Sequence, residues 1–280
     1  MMRQPISLIA LDVDRTTLTD DYRLLPAVVE AVARAAEADV QVVAATARAP
    51  NALRDIAAAL GLRGPSVCLN GAWTGTILPD EAVMERGVAM DLTRTKILIA
   101  EAEAAGLNPC WFTEAGWHAL SEGHLVEREA RATQTEPVLT PSLECFGEPV
   151  FKVLCLETER SGDALDRLMV RFTDEFSFVR SDRHLIEITA NGVSKQGAIA
   201  ALTRRLGVDR ESVAAIGDSE NDLDLIRWAG FGVAMGNGTE VVKRAADWVT
   251  WSNAHAGAAF AIDTIIAANR AAICPAGIRT

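Results

Sequence analysis

Cysteine is sparse in these 280 residues and never closely paired: Cys68, Cys110, Cys145, Cys155 and Cys274 form no CxxC and no pair at metal-ligand spacing. Their odd number and their places within apolar runs argue against a disulfide framework and suggest reduced, buried thiols. Histidine is equally scarce. His118, His124, His184 and His255 are scattered without HxxxH-type spacing, which gives no basis for a histidine metal site. Basic residues are in deficit, 27 Lys and Arg against 38 Asp and Glu, for a net charge of −11. That balance argues against nucleic acid or an anionic membrane as partner, because both need a basic face. An anionic substrate stays compatible where a cation and a local Lys or Arg reverse the field. No apolar run approaches a membrane span, and Met1-Met2-Arg3-Gln4-Pro5 leads into a stretch too short for a secretory core. A cytoplasmic protein is the expectation, with no repeat or low-complexity tract.

What is present begins with Ile6-Ser7-Leu8-Ile9-Ala10-Leu11, which reads as a buried strand running into Asp12-Val13-Asp14-Arg15-Thr16-Thr17. Side chains two apart on a strand point the same way, so Asp12 and Asp14 crowd one spot at a sheet edge. Carboxylates that close raise each other's cost of ionisation and call for a metal or a shared proton. The bland alternative is an Asp- and Thr-rich turn. An alanine-rich helix follows from Pro26 to Ala38, then a β-branched run, Val40 to Ala45, ending at Thr46. A helix over Pro50–Leu60 is closed by Gly61, and Ser66 to Leu69 is a third short strand ending in Asn70-Gly71. Strand–helix alternation of this kind predicts an α/β fold, a Rossmann-like doubly wound parallel sheet whose ligands sit beyond the carboxyl ends of its strands.

The texture changes near Met84. A helix (Asp91 to Ala105) precedes strand-like pieces around Trp111-Phe112 and Trp117 to Leu120, a charged stretch from Glu122 to Glu136 and a turn-rich one to Pro149. A strand (Phe151 to Leu156), a helix (Gly162 to Phe172) and strands at Phe176–Val179 and His184–Ile188 follow. This reads as a separate α+β unit of normal domain size. The doubly wound texture returns with a helix over Ser194–Leu206, the strand Ser212 to Ile216 and the cluster Gly217-Asp218-Ser219-Glu220-Asn221-Asp222. The expected organisation is a discontinuous core, residues 1–83 and 187–280, with an inserted cap at 84–186.

Four polar clusters then stand at core strand ends or at a core helix start: Asp12/Asp14, Thr46 with Arg48, Lys195, and Asp218 with Asn221/Asp222. Together they suit phosphoryl transfer. Carboxylates bind a hard divalent cation, and Mg²⁺ favours a few of them plus water and phosphate oxygens. A lysine and a hydroxyl stabilise charge on the transferring group, and a carboxylate can act as nucleophile.

Order and spacing resemble the haloacid dehalogenase superfamily, in particular its Cof-type, sugar-phosphatase-like branch with a large cap. The motif DxDx[TV] is matched by Asp12 to Thr16, a strand-ending Ser or Thr by Thr46 in Ala45-Thr46-Ala47-Arg48, the lysine by Lys195 in Gly192-Val193-Ser194-Lys195, and GDxxND by Gly217 to Asp222. Asn70-Gly71-Ala72 and the apolar-Glu-apolar strand Ile186-Glu187-Ile188 are further features of the branch. The resemblance spans the whole chain. It implies Asp12 as nucleophile and Mg²⁺ ligand, and Asp14 as general acid then base, its carbonyl also on the metal. It further implies Thr46 and the Ala47 amide on the phosphoryl oxygens, and Lys195 offsetting charge between Asp12 and phosphate. Asp218 becomes a metal ligand, Asp222 a holder of the metal's waters, and Asn221 a phosphate contact, with Arg48 and Asn70 as substrate candidates. The implied activity is a Mg²⁺-dependent phosphomonoesterase working through an aspartyl-phosphate on a small phosphorylated metabolite, most readily a sugar phosphate.

Plainer readings accompany several of these residues. Lys195 alone could be a solvated lysine, Asp218 a helix N-cap, Asn70 a turn residue, and Arg48 a partner for a carboxylate on its own helix. Trp111, Phe112 and Trp117 pack a small cap core or stack on a sugar ring. Two positions depart from the branch: Arg15 stands where glycine is usual, and Ala47 replaces the glycine of Thr-Gly-Arg. Ala47 implies either a negative φ or a strained pocket. A phosphomutase of the same fold and a catalytically silent binding or regulatory protein are the rival functions. A homo-oligomer is compatible with the sequence.

Overall fold

The computed structural model describes residues 4–142 and 146–273, so Cys145 and Cys274 lie outside the described residues. The chain opens with β1 (Leu8–Leu11), α1 (Pro26–Glu37), β2 (Gln41–Ala44), α2 (Pro50–Ala59), β3 (Pro65–Cys68), β4 (Trp73–Ile77) and β5 (Ala82–Gly87). It continues with α3 (Leu92–Ala104), β6 (Asn108–Phe112), β7 (Trp117–Ala119), α4 (His124–Thr133), β8 (Val138–Leu139), β9 (Lys152–Leu156), α5 (Ala164–Phe172), β10 (Phe176–Asp182) and β11 (Leu185–Ala190). It closes with α6 (Lys195–Leu206), β12 (Val213–Gly217), α7 (Leu223–Trp228), β13 (Phe231–Ala234), α8 (Glu240–Ala245), β14 (Trp248–Val249) and α9 (Gly257–Ile273).

The uninterrupted apolar character of β1 follows from burial on both faces. Ile9 and Leu11 pack with Val28 and Val32 of α1 and Ile262 and Ile265 of α9. Leu8 and Ala10 face Ile199 and Leu202 of α6 and Leu225 of α7. The sheet is parallel throughout, in the order β14-β13-β12-β1-β2, with helices on both sides, the α/β architecture read from the sequence. The third expected strand departs from that scheme. β3 touches the sheet through one bridge, Ala45 to Val67, and is otherwise antiparallel to the β4–β5 hairpin, which the sequence reading passed over.

The middle unit is a six-stranded sheet in the order β10-β11-β9-β6-β7-β8. One face carries α3 and α5 over Trp111, Val153, Ile186 and Ile188. The other face joins Phe112 and Leu154 to Trp117, to Leu125 and Val126 of α4, and to Val13, Ala49 and Leu53 of the core in one continuous cluster. Trp111, Phe112 and Trp117 are all buried, so packing is their main occupation. α4 lies inside the stretch read only as charged: its buried side is Leu125, Val126, Ala130 and Thr133, while Arg128, Glu129 and Ala132 are half-buried, and His124, Glu127 and Arg131 are solvated. The expected unit borders fall within β5 and β11, strands that continue across them without a change in composition. Among the described residues no helix is long and apolar enough to cross a membrane.

Candidate active site

The parallel strands deliver polar residues to one edge. Asp12 follows β1, Thr46 follows β2 and Asp218 follows β12, while Lys195 opens α6. Ser194 caps that helix by accepting from the Gly197 amide, which fixes where Lys195 starts. Gly71, at φ +103°, lets the Asn70 turn lie directly against this helix start; a Cβ there would stand 2.3 Å from the Ser194 carbonyl oxygen. Gly217 is needed for a different reason, since its Cβ would sit 2.4 Å from the Asp222 carboxyl carbon.

Lys195 Nζ, fully buried, donates to Asp12 Oδ1 at 2.6 Å and to Asp222 Oδ1 at 2.8 Å. Asp222 Oδ2 accepts from the Asp218 and Ser219 amides at 3.1 and 3.3 Å, so both its oxygens are engaged in holding the loop and the lysine. Carboxylate oxygens of Asp12, Asp218 and Asp222 lie within 4.8 Å of one another. Burial, then the neighbouring Asp222, raises the Asp12 carboxyl far above its ordinary range, and the same causes push Asp218 up to about 7. Burial alone would lower the Lys195 ammonium, but Asp12 and Asp222 outweigh it and raise it. Three carboxylates against one buried ammonium leave an excess of negative charge that a divalent cation would neutralise. The donor set, all hard oxygen, fits Mg²⁺. Arg15 Nε approaches Asp218 at 3.8 Å and Asp20 at 3.5 Å from a half-exposed position. Arg15 adopts φ 58°, the left-handed conformation that explains why glycine suits this position.

Thr46 is fully buried, and its Oγ1 accepts from the Arg48 amide at 3.1 Å. Ala47 has no positive φ, so its methyl group imposes no backbone strain. Arg48 finds no carboxylate partner on its own helix, where its Nη1 donates only to the Ala52 carbonyl at 3.4 Å. Its Nε and Nη2 clamp both oxygens of Asp14, at 3.0 and 2.6 Å, and Nη2 also donates to the Ala132 carbonyl of α4 at 2.9 Å. The side chain of Asp14 therefore stands apart from the acidic group, linked through Arg48 to α4 of the middle unit.

A second buried pair, within the middle unit, reaches the core through Ala47 and Asn70. Lys152, on the core-facing side of β9, donates to Glu187 Oε1 of β11 at 2.7 Å and to the Ala47 carbonyl at 2.8 Å, with Nζ 4.4 Å from the Phe112 ring centre. Glu187 Oε2 accepts from Asn70 Nδ2 at 2.9 Å, and Asn70 Oδ1 accepts from Asn221 Nδ2 at 3.3 Å. Burial opposes ionisation of Glu187, yet the Lys152 charge and these hydrogen bonds bring its carboxyl below the usual glutamate value. Asn70 is thus buried behind the site, both ends of its amide occupied. Asn221 lines the cavity itself, with its Oδ1 accepting from Ser219 Oγ.

A cavity of about 270 Å³ opens over this edge, lined from the core by Asp12, Asp14, Arg48 and Asp218 and from the middle unit by Arg128, Glu129 and Lys152. Sequence reasoning singled out none of those last three, nor Tyr22, which also lines it. Lys152 alone carried a readable signal, a lone charge inside the apolar strand Phe151-Lys152-Val153-Leu154.

Residues 9–262 match the haloacid dehalogenase-like hydrolase family. The chain is 29% identical over 259 residues to 5-amino-6-(5-phospho-D-ribitylamino)uracil phosphatase YcsE of Bacillus subtilis, covering 92% of this chain and 94% of that protein. It is 28% identical over 265 residues to pyridoxal phosphate phosphatase YbhA of Escherichia coli, covering 88% and 93%. A solved haloacid dehalogenase-like hydrolase from Bacteroides thetaiotaomicron superposes with a TM-score of 0.83 at 27% identity, over 93% of this chain and 99% of that one.

Proposed function

We propose that this chain, which belongs to the haloacid dehalogenase-like hydrolase family and is a phosphoric monoester hydrolase, works with Mg²⁺ through an aspartyl-phosphate on Asp12. The substrate proposed is a small phosphorylated metabolite, sugar phosphates first. The observation that carries the reading is the position of Asp12: buried at a strand end, Oδ1 gripped by Lys195, with the Arg48-clamped Asp14 on the same cavity.

Asp12 and Asp218 side chains and the Asp14 carbonyl would hold the metal, and Asp222 its waters. When bound, Mg²⁺ supplies the positive charge that brings a phosphate dianion to this acidic edge. Lys195 holds Asp12 Oδ1 and leaves Oδ2 to attack phosphorus. The Oδ2–P bond forms as the ester P–O bond breaks, and Asp14 gives its proton to the departing alkoxide. Water then attacks phosphorus, Asp14 takes its proton, the Asp12–phosphorus bond breaks, and inorganic phosphate leaves. Thr46 and the Ala47 amide receive the phosphoryl oxygens. Asp14 can act as an acid only when it carries a proton and turns from Arg48; the incoming phosphoryl group offers the guanidinium another anion. The middle unit acts as the cap, with Lys152 and Glu187 holding Ala47 and Asn70 in place.

Purified protein with Mg²⁺ is expected to hydrolyse p-nitrophenyl phosphate, to lose that activity in EDTA and regain it with Mg²⁺, and to lose it in Asp12→Asn. Inactivity of the wild type with Mg²⁺, Mn²⁺ and Co²⁺ across a broad phosphate panel would contradict the reading. Transfer to a sugar acceptor in place of phosphate release would indicate a mutase.

A further inference from the structure

Glu129 lines the cavity from α4, on the cap side of the reacting edge. Its carboxylate has no hydrogen bond or ion pair among the described residues. Burial pushes it above the ordinary glutamate value. The two cations whose charge acts on it are committed elsewhere: Lys152 to Glu187 and the Ala47 carbonyl, Arg48 to Asp14 and the Ala132 carbonyl. Glu129 is also no part of the packing of α4, whose buried side is Leu125, Val126, Ala130 and Thr133. It lies three residues before Ala132, on the turn that meets Arg48 and Asp14.

A half-buried carboxylate open to the cavity and without a fixed partner is costly, and beside a phosphate dianion it is repulsive as well. The arrangement makes chemical sense when the cavity's occupant brings donors to it. We infer that Glu129 is a specificity residue, accepting hydrogen bonds from hydroxyl or ammonium groups on the alcohol half of the substrate. It turns away esters whose alcohol half carries a second anion. This rests on the phosphatase reading above and narrows its substrate class to polyol and amino-polyol phosphates.

The test compares wild type and Glu129→Gln on glucosamine 6-phosphate, 3-phosphoglycerate and p-nitrophenyl phosphate, with a thermal melt of each protein. The ratio of kcat/KM for glucosamine 6-phosphate to that for p-nitrophenyl phosphate is expected to fall roughly 10- to 100-fold, the effect of one or two charge-assisted hydrogen bonds. The corresponding ratio for 3-phosphoglycerate is expected to rise. The melting midpoint should stay level or increase, because the variant removes an unpaired charge; a merely structural residue would lower it. Unchanged ratios, or an equal loss on all three esters with a lower midpoint, would overturn the assignment of Glu129 alone. A wild type inactive on every ester would overturn the phosphatase reading beneath it.

Discussion

The buried Lys152–Glu187 pair gives the sharpest test of how the middle unit is anchored to the polar edge of the parallel sheet. The two side chains are 2% and 6% exposed and 2.7 Å apart. Removing one partner of such a pair costs ~3–5 kcal/mol, because the other charge is left buried alone. Glu187→Gln leaves Lys152 its bond to the Ala47 carbonyl and the Phe112 ring, so its cost should lie near ~3 kcal/mol. Lys152→Met leaves Glu187 only the Asn70 amide, and should lie nearer ~4 kcal/mol. The double variant strands no charge and should cost less than the sum by ~2 kcal/mol or more. Urea unfolding followed by tryptophan fluorescence reads these differences, since Trp111 and Trp117 lie in the middle unit's sheet and Trp73 in the β4–β5 hairpin. The sign with pH is also fixed. Glu187 is held below the ordinary glutamate value, so the ion pair's contribution is complete above that value and is lost as pH falls through the lowered native one. The gap between wild type and Glu187→Gln should therefore shrink in acid and stay constant from neutrality upward. Additive single variants, each below ~1 kcal/mol, would show that the pair is solvated and does not join the units.

Other expectations concern the acidic edge. Asp12 and Asp218 have raised carboxyls in the metal-free protein, so the native state binds more protons than the unfolded one between the ordinary aspartate value and about 7 for Asp218. Metal-free stability should fall as pH rises through that window, and the stabilisation by added Mg²⁺ should grow with it in thermal melts; a Mg²⁺ effect that is flat with pH would contradict this. Arg15→Gly removes a cation 3.8 Å from Asp218 and should tighten Mg²⁺ binding in calorimetry roughly 3- to 5-fold, the effect of a half-exposed charge. Stability should change little, because relief of the left-handed backbone is offset by added freedom in the unfolded chain, each ~1 kcal/mol. Unaltered Mg²⁺ affinity would separate Arg15 from the metal site.

Much of the fold was legible because burial on both faces leaves a plain mark. The runs Leu8–Leu11, Val42–Ala45 and Val213–Gly217 of β1, β2 and β12 are apolar without interruption, and each is followed at once by its polar residue, Asp12, Thr46 or Asp218. The β4–β5 hairpin was less legible because Trp73-Thr74-Gly75-Thr76-Ile77 is short and Gly-containing, and its partner strand is largely solvated. α4 was masked by its charged outer side, although Leu125, Val126 and Ala130 keep helical spacing. The pairing of Arg48 with Asp14 spans 34 positions, and that of Lys152 with Glu187 spans 35. Contacts of that kind depend on which strands lie side by side within each sheet, β1 with β2 and β9 with β11, which no local pattern encodes. Glu129 was hidden for a different reason, since only the cavity lined from both units distinguishes it from the other charges of its helix.

The claim that Asp12 becomes phosphorylated is tested most directly by the stereochemical course at phosphorus, measured with a substrate carrying a chiral, isotopically labelled phosphoryl group. Two successive in-line displacements, first by Asp12 and then by water, give retention of configuration. Inversion would mean that water attacks the ester in a single step and that Asp12 only binds.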